Sequence, residues 1–260
     1  MVNDIRAGSA PELEIEGAVA TLRLCRPERA NRIEHGDIDV LRGHFRSMRE
    51  RHPQVRALVV RAEGKHFSAG FDLGAMPAAL DGGASEDFAE MVDMLETLPQ
   101  TTVCALQGGV FGGSTDLALA CDFRLGVPAT RMFMPAARFG LHYYESGLQR
   151  YLTRLGLNAA KRLFLLAEEH DAKALLEIGY LCAIVPAERL QDEAVALAHR
   201  AAALAPLACA AMKAALNAMA AGRYDAAADA RAYQACQASD DLREGVAAAM
   251  EKRIAQFQGR

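Results

Sequence analysis

Two glycine-bearing turns are the segments of this 260-residue chain best placed to do chemistry: KHFSAGFDL (Lys65–Leu73) and QGGVFGGSTDLALACD (Gln107–Asp122). Each follows a short apolar run of strand character, and Gly112-Gly113 stand directly before an apolar helical pattern starting near Ser114. Glycines at a strand-to-helix turn let backbone N–H groups face outward, where the helix dipole also favours negative charge. The plainer reading of the same glycines is a tight turn with close packing. Neither segment is a Walker A loop or a G-x-G-x-x-G fingerprint.

The six cysteines are scattered without a C-x-x-C pair, and the histidines have no ligand spacing. Reduced thiols are therefore expected, with neither a disulfide framework nor a zinc site. A formal charge of −4 with 29 basic residues gives no basic stripe for nucleic acid. The N-terminal segment lacks the apolar run of a signal peptide, and no stretch reaches the length of a membrane span. The expectation is a soluble cytoplasmic protein, and the 52% of apolar residues suffices for a sizeable core.

The elements that must hold the two turns read as follows. Glu12–Leu24 suggests two short strands turning at Glu16-Gly17. Ile38, Leu41, Phe45 and Met48 recur at helical spacing from about Asp37, which can cap that helix. Val55–Ala62 and Thr101–Gln107 read as buried strands, and Asp122–Val127 as a third. Between them a helix from Ser85 sets Phe88, Met91, Val92 and Leu95 on one face and stops before Pro99. The alternation predicts an α/β fold. From residue 187 onward the chain turns to Ala-rich helix, with breaks near Pro206, Gly222 and Asp240, which divides it into a core of 1–186 and a helical region of 187–260.

Taken together, the two turns resemble the enoyl-CoA hydratase/isomerase (crotonase) family. There an A-G-x-D-L turn and a G-G-x-x-[DE]-L-A-x-x-C-D turn each give one N–H to an oxyanion hole. RPERANRI (Arg26–Ile33), ARFGL (Ala137–Leu141) and SDDLREGVAAAMEKR (Ser239–Arg253) match further family segments in order, so the resemblance spans nearly the whole chain. It implies a spiral of ββα units with a C-terminal helical region that mediates a homotrimer or a dimer of trimers. It implies an acyl-CoA substrate, with coenzyme A as part of the substrate and no separate cofactor or metal. The donors carried over are the backbone N–H groups of Phe71 and Gly113. Arg29, Ala30, Ala69, Asp72 and Leu73 are expected along the CoA channel.

The departures from the family concern acid and base. The first family glutamate falls at Asp116, which the resemblance makes the base; a helix-dipole role is the alternative. The second becomes Ala136, and an alanine transfers no proton, which counts against two-glutamate hydration. Family isomerases, decarboxylases and dehalogenases place an acid or tyrosine in the region of LHYYESG (Leu141–Gly147). This makes Glu145 the preferred second acid and Tyr144 the next, with His142 and Tyr143 behind. Phe71 stands where the family often has a small residue. In the last helix Ala249 replaces a phenylalanine, and Ile254 a common basic residue. Double-bond isomerisation needs only one base and fits best. Hydration with a surrogate acid, decarboxylation or retro-aldol cleavage, and acyl-CoA binding without catalysis are the alternatives; an RNA-binding role finds no support in an acidic chain.

Overall fold

The β-branched runs become the parallel core of a six-stranded sheet. The computed structural model describes residues 8–72 and 83–260, and side chains after the break from Glu86 onward. Strands β1 (Glu12–Glu16) and β2 (Val19–Leu24) form the expected hairpin, and β3 (Ala57–Ala62) and β4 (Thr101–Leu106) follow. Beyond them lie β6 (Phe123–Gly126) and β9 (Ala183–Ile184), every pairing after the hairpin being parallel. A second sheet of β5 (Gly109–Phe111), β7 (Arg131–Phe133) and β8 (Glu169–Asp171) is extended by a parallel bridge from Ser68 to Val110. Strand β4 thus leaves the large sheet for β5 of the small one before a helix, and β6 for β7 likewise, which is the expected ββα unit; β1 and β2 both stay in the large sheet.

Strands β3 and β4 are buried on both faces because helices cover both. On one side pack α1 (His35–Glu50), with Ile38, Leu41, Phe45 and Met48, and α2 (Gly83–Glu96), with Phe88, Met91, Val92 and Leu95. Helix α1 begins two residues earlier than its apolar pattern suggests. Glu34 is its cap, and Asp37 lies in the first turn, accepting from the Glu34 N–H at 2.8 Å and pairing with Arg26 at 2.6 Å. The remaining helices of the core are α3 (Gly113–Ala120), α4 (Glu145–Leu155), α5 (Leu157–Leu165) and α6 (Ala172–Glu177).

On the other face lies α7 (Leu190–Ala202). Its Leu190, Ala194, Ala198 and Ala202 repeat every four residues and seat the helix on Val59, Val103, Ala105 and Leu125. A division of the chain at residue 186 therefore falls just before a helix that covers the sheet. Helices α8 (Pro206–Ala220), α9 (Ala226–Ala238) and α10 (Asp240–Glu251) stand further out, exposing Met212, Leu216, Tyr233, Val246 and Met250. Lys213 ties α8 to the core through Asp122 at 2.7 Å, and Asn217 through the Glu96 carbonyl at 3.2 Å. Among the described residues, no single helix is long and apolar enough to cross a membrane.

Candidate active site

The two glycine turns meet. Asn31, buried and left-handed at φ 50°, organises the first: its amide donates to the carbonyls of Glu63 (2.7 Å) and His66 (2.9 Å), and its Oδ1 accepts from the Arg26 N–H. The Ser68 hydroxyl donates to the Asn31 carbonyl at 2.7 Å and accepts from the Gly70 N–H at 3.0 Å. Ser114, at the start of α3, donates to the Ser68 carbonyl at 3.0 Å and so clamps the second turn to the first. Gly70 sits where nothing larger fits. Its φ is +89°, and a Cβ there would lie 2.5 Å from the Phe111 carbonyl oxygen and 3.0 Å from the Gly113 nitrogen.

This lacework consumes the surrounding backbone groups. The Ile33 N–H donates to Gly70, the Ala69 N–H to Ala30, and the Asp72 N–H to Ile33. The N–H groups of Phe71 and Gly113 find no acceptor among the described residues. Gly113 opens α3, so its N–H belongs to the first turn, which has no intrahelical partner. Two adjoining turns thus each present an unused backbone donor, one of them at the positive end of a helix.

Asp116 follows about one turn into α3 and is fully buried. Its Oδ2 accepts from the Tyr144 hydroxyl at 2.5 Å and from Arg150 Nη1 at 2.6 Å, while Oδ1 has no partner among the described residues. Arg150, on α4, is itself buried; its Nη2 meets Asp93 at 2.6 Å and its Nε meets Glu96 at 3.0 Å. Arg154 completes the cluster, 2.9 Å from Glu96. Burial pushes the Asp116 carboxyl above the usual range, and Arg150 and Tyr144 oppose the shift without cancelling it. For Arg150, burial works toward the neutral form, but Asp116 and Glu96 outweigh it and hold the guanidinium charged. The Tyr144 hydroxyl is raised by burial and by Asp116, so it stays protonated as a donor.

An aromatic wall links the donors to the carboxylate. Phe71 and Phe88 lie 5.7 Å apart between ring centres, Phe88 and Tyr144 6.4 Å, and Tyr143 stacks on Tyr144 at 4.3 Å. The Phe88 ring presses on Gly113, where an added Cβ would come within 2.8 Å of it. Glycine at 113 therefore serves this ring as well as the turn.

The remaining expected residues fall at different places. Glu145 is the exposed first residue of α4 and lines a surface cleft with His142, Tyr143, Tyr144 and Leu148; of these only Tyr144 reaches Asp116 by a hydrogen bond. Ala136 is buried in a short 3-10 turn. Arg29 is exposed and pairs with Glu34 at 3.1 Å, and Asp72 pairs with Arg32 at 3.1 Å. Ala30 and Ala69 are joined through their backbones, and Leu73 lies outside the described residues. Sequence reasoning missed Arg150. The signal available was two acids at i,i+3 on α2 (Asp93, Glu96) and two arginines at i,i+4 on α4 (Arg150, Arg154), each pair on one helix face.

Residues 14–260 match the enoyl-CoA hydratase/isomerase family profile. A crotonyl-CoA hydratase of Syntrophomonas wolfei is 29% identical over 254 residues, covering 94% of this chain and 96% of its own. A methylmalonyl-CoA decarboxylase of Escherichia coli is 26% identical over 215 residues, covering 80% of this chain and 82% of its own. The crystal structure of an enoyl-CoA hydratase from Bacillus anthracis superposes with a TM-score of 0.89 over 97% of this chain and all of that one; at 24% identity it shows the shared fold. With the fold, the paired turns and this match in agreement, the chain belongs to the enoyl-CoA hydratase/isomerase family.

Proposed function

We propose that the protein moves a double bond in an acyl-CoA thioester by a 1,3 proton shift, with Asp116 as its single base. The observation that carries this reading is a buried carboxylate with a free oxygen, about one helical turn beyond the Gly113 donor, in a chain that has an alanine at position 136. The N–H groups of Phe71 and Gly113 receive the thioester oxygen as it gains charge. A donor of this kind is worth about 2.7–4 kcal/mol in the barrier. Asp116 takes a proton from one carbon of the enoyl unit and returns it to the other end of the resulting dienolate. A carboxyl whose pKa is raised by burial is a stronger base when ionised, which suits a weak carbon acid. In this reading Arg29, Ala30, Ala69 and Asp72 border the CoA moiety, and the apolar side chains exposed on α8–α10 are the surface of a homotrimer or of a dimer of trimers.

Hydration is the second reading, favoured by the name of the Syntrophomonas relative. It requires a second acid, and Ala136 offers none. Product analysis by mass spectrometry and NMR separates the two, with 2-enoyl-CoA and 3-enoyl-CoA supplied separately in deuterated water. Double-bond migration with deuterium uptake, lost in Asp116→Asn, is the expected result. Addition of water to the wild type as the main reaction would overturn isomerisation.

A further inference from the structure

Nothing in the family pattern of glycine turns and two acids concerns Arg150, yet it is a buried cation held by several carboxylates. Its side chain is 1% exposed and meets three carboxylates, on Asp93 and Glu96 of α2 and Asp116 of α3. Glu96 is in turn held by Arg154. These contacts anchor the guanidinium from both sides, so it cannot leave Asp116 without breaking two further ion pairs.

The consequence for Asp116 is asymmetry. Both donors, Arg150 Nη1 and the Tyr144 hydroxyl, converge on Oδ2. Oδ1 is buried and unpartnered among the described residues. A carboxylate left to itself rotates and offers either oxygen; this one is pinned. Two guanidinium groups face three carboxylates, and Asp93 is partly open to solvent while Asp116 is not. Burial is the main cause of the upward shift at Asp116; Arg150 and Tyr144 oppose it, and the Glu96 charge adds to it.

We infer that Arg150 is the positioning residue of this site: by binding Oδ2 it fixes the plane of the Asp116 carboxylate and leaves Oδ1 as the one oxygen that exchanges a proton with the substrate. The inference rests on the reading of Asp116 as base, and it adds an electrostatic setting to that base. The charged and titratable groups acting on Asp116 are Arg150, Tyr144, Tyr143 and Tyr151 from α4 and the loop before it, Glu96 from α2 and Tyr180 from the segment after α6, with Asp93 reaching it through Arg150. Their effects have opposite signs. Loss of the Arg150 cation raises the Asp116 pKa further, and loss of the Glu96 charge lowers it.

The test is a carbon-13 carboxylate NMR titration of substrate-free protein labelled at Asp, with Asp116→Asn providing the assignment. Wild type, Arg150→Gln, Arg150→Lys and Glu96→Gln are compared, and melting curves establish that each is folded. The expected result is an upward shift in Arg150→Gln, a smaller one in Arg150→Lys, and a downward shift in Glu96→Gln. The acid limb of kcat/KM on the enoyl-CoA substrate follows the same directions. In Arg150→Gln, kcat falls by about 100-fold with little change in KM, and Arg150→Lys recovers part of the loss. An Asp116 titration indifferent to Arg150→Gln and Glu96→Gln, or moved the same way by both, overturns the inference. Because the titration needs no turnover, it reads the clamp even if the wild type proves inactive on enoyl-CoA; a failure of the proposed reaction and a failure of the clamp are thus told apart.

Discussion

The two glycine turns and the charge cluster around Asp116 lie side by side, but they are built on opposite principles. The turns use backbone: Phe71 and Gly113 contribute N–H groups, and the residues around them serve to point and seal. The cluster uses side chains drawn from three helices and the loop before α4, which bring charge and a hydroxyl around the buried Asp116 and Arg150. Backbone donors survive most side-chain changes and fail only when the turn itself fails. A buried charge cluster fails piecemeal, because removing one member leaves another without its partner.

The sharpest way to break the first region is Gly70→Ala. The new Cβ would collide with the Phe111 carbonyl and oppose a φ of +89°. Strain of this kind costs about 1–3 kcal/mol, and displacement of both turns should reduce turnover by at least about 1000-fold; thermal melting and initial rates read the two effects. The second region is broken by Asp116→Ala. Losing one partner of a buried pair costs about 3–5 kcal/mol, and the lower end is expected here because Arg150 keeps Asp93 and Glu96. Asp116→Asn, which still accepts from Arg150, should unfold less readily than Asp116→Ala in urea while losing as much activity.

A pH series sharpens the contrast. With its folded pKa raised, native Asp116 binds more proton than the unfolded chain between the unfolded and folded values. Its contribution to stability is therefore largest below the unfolded pKa and declines as pH rises toward the folded one. Urea midpoints of Asp116→Asn should lack that decline, whereas variants of the glycine turns should keep it. Smallest of all is the effect of Glu145→Gln. As an exposed helix-start residue it should change stability by no more than about 0.5 kcal/mol and turnover by less than twofold. A large loss of turnover there would make Glu145 the second acid and weaken the single-base reading.

The same contrast explains what was legible in the sequence. The glycine turns are local: their residues are adjacent in the chain, and the strands before them announce themselves by β-branched runs such as Ala57–Ala62. Helices α1 and α2 were readable from apolar spacing, and the breaks at Pro206, Gly222 and Asp240 from residue type. The cap at Glu34 was misplaced onto Asp37 because both are acids in one short stretch, and only the backbone shows which one lies outside the helix. The cluster around Asp116 was half readable. Tyr144 emerged from its region in the chain, but Arg150 lies 34 residues from Asp116 and 54 from Glu96, and only the packing of α2, α3 and α4 brings the three together. A single arginine on an amphipathic helix reads as a solvated charge until its face is known.

The most direct measurement is exchange of the α-proton of a saturated acyl-CoA in deuterated water, followed by NMR for wild type and Asp116→Asn. Exchange requires only an enolate, the two donors and a base, with no double bond to migrate and no water to add. The account predicts deuterium entering the α-carbon with wild type and exchange reduced by at least about 100-fold in Asp116→Asn. Exchange that proceeds undiminished in Asp116→Asn, or is absent from wild type that binds the same acyl-CoA, would contradict it.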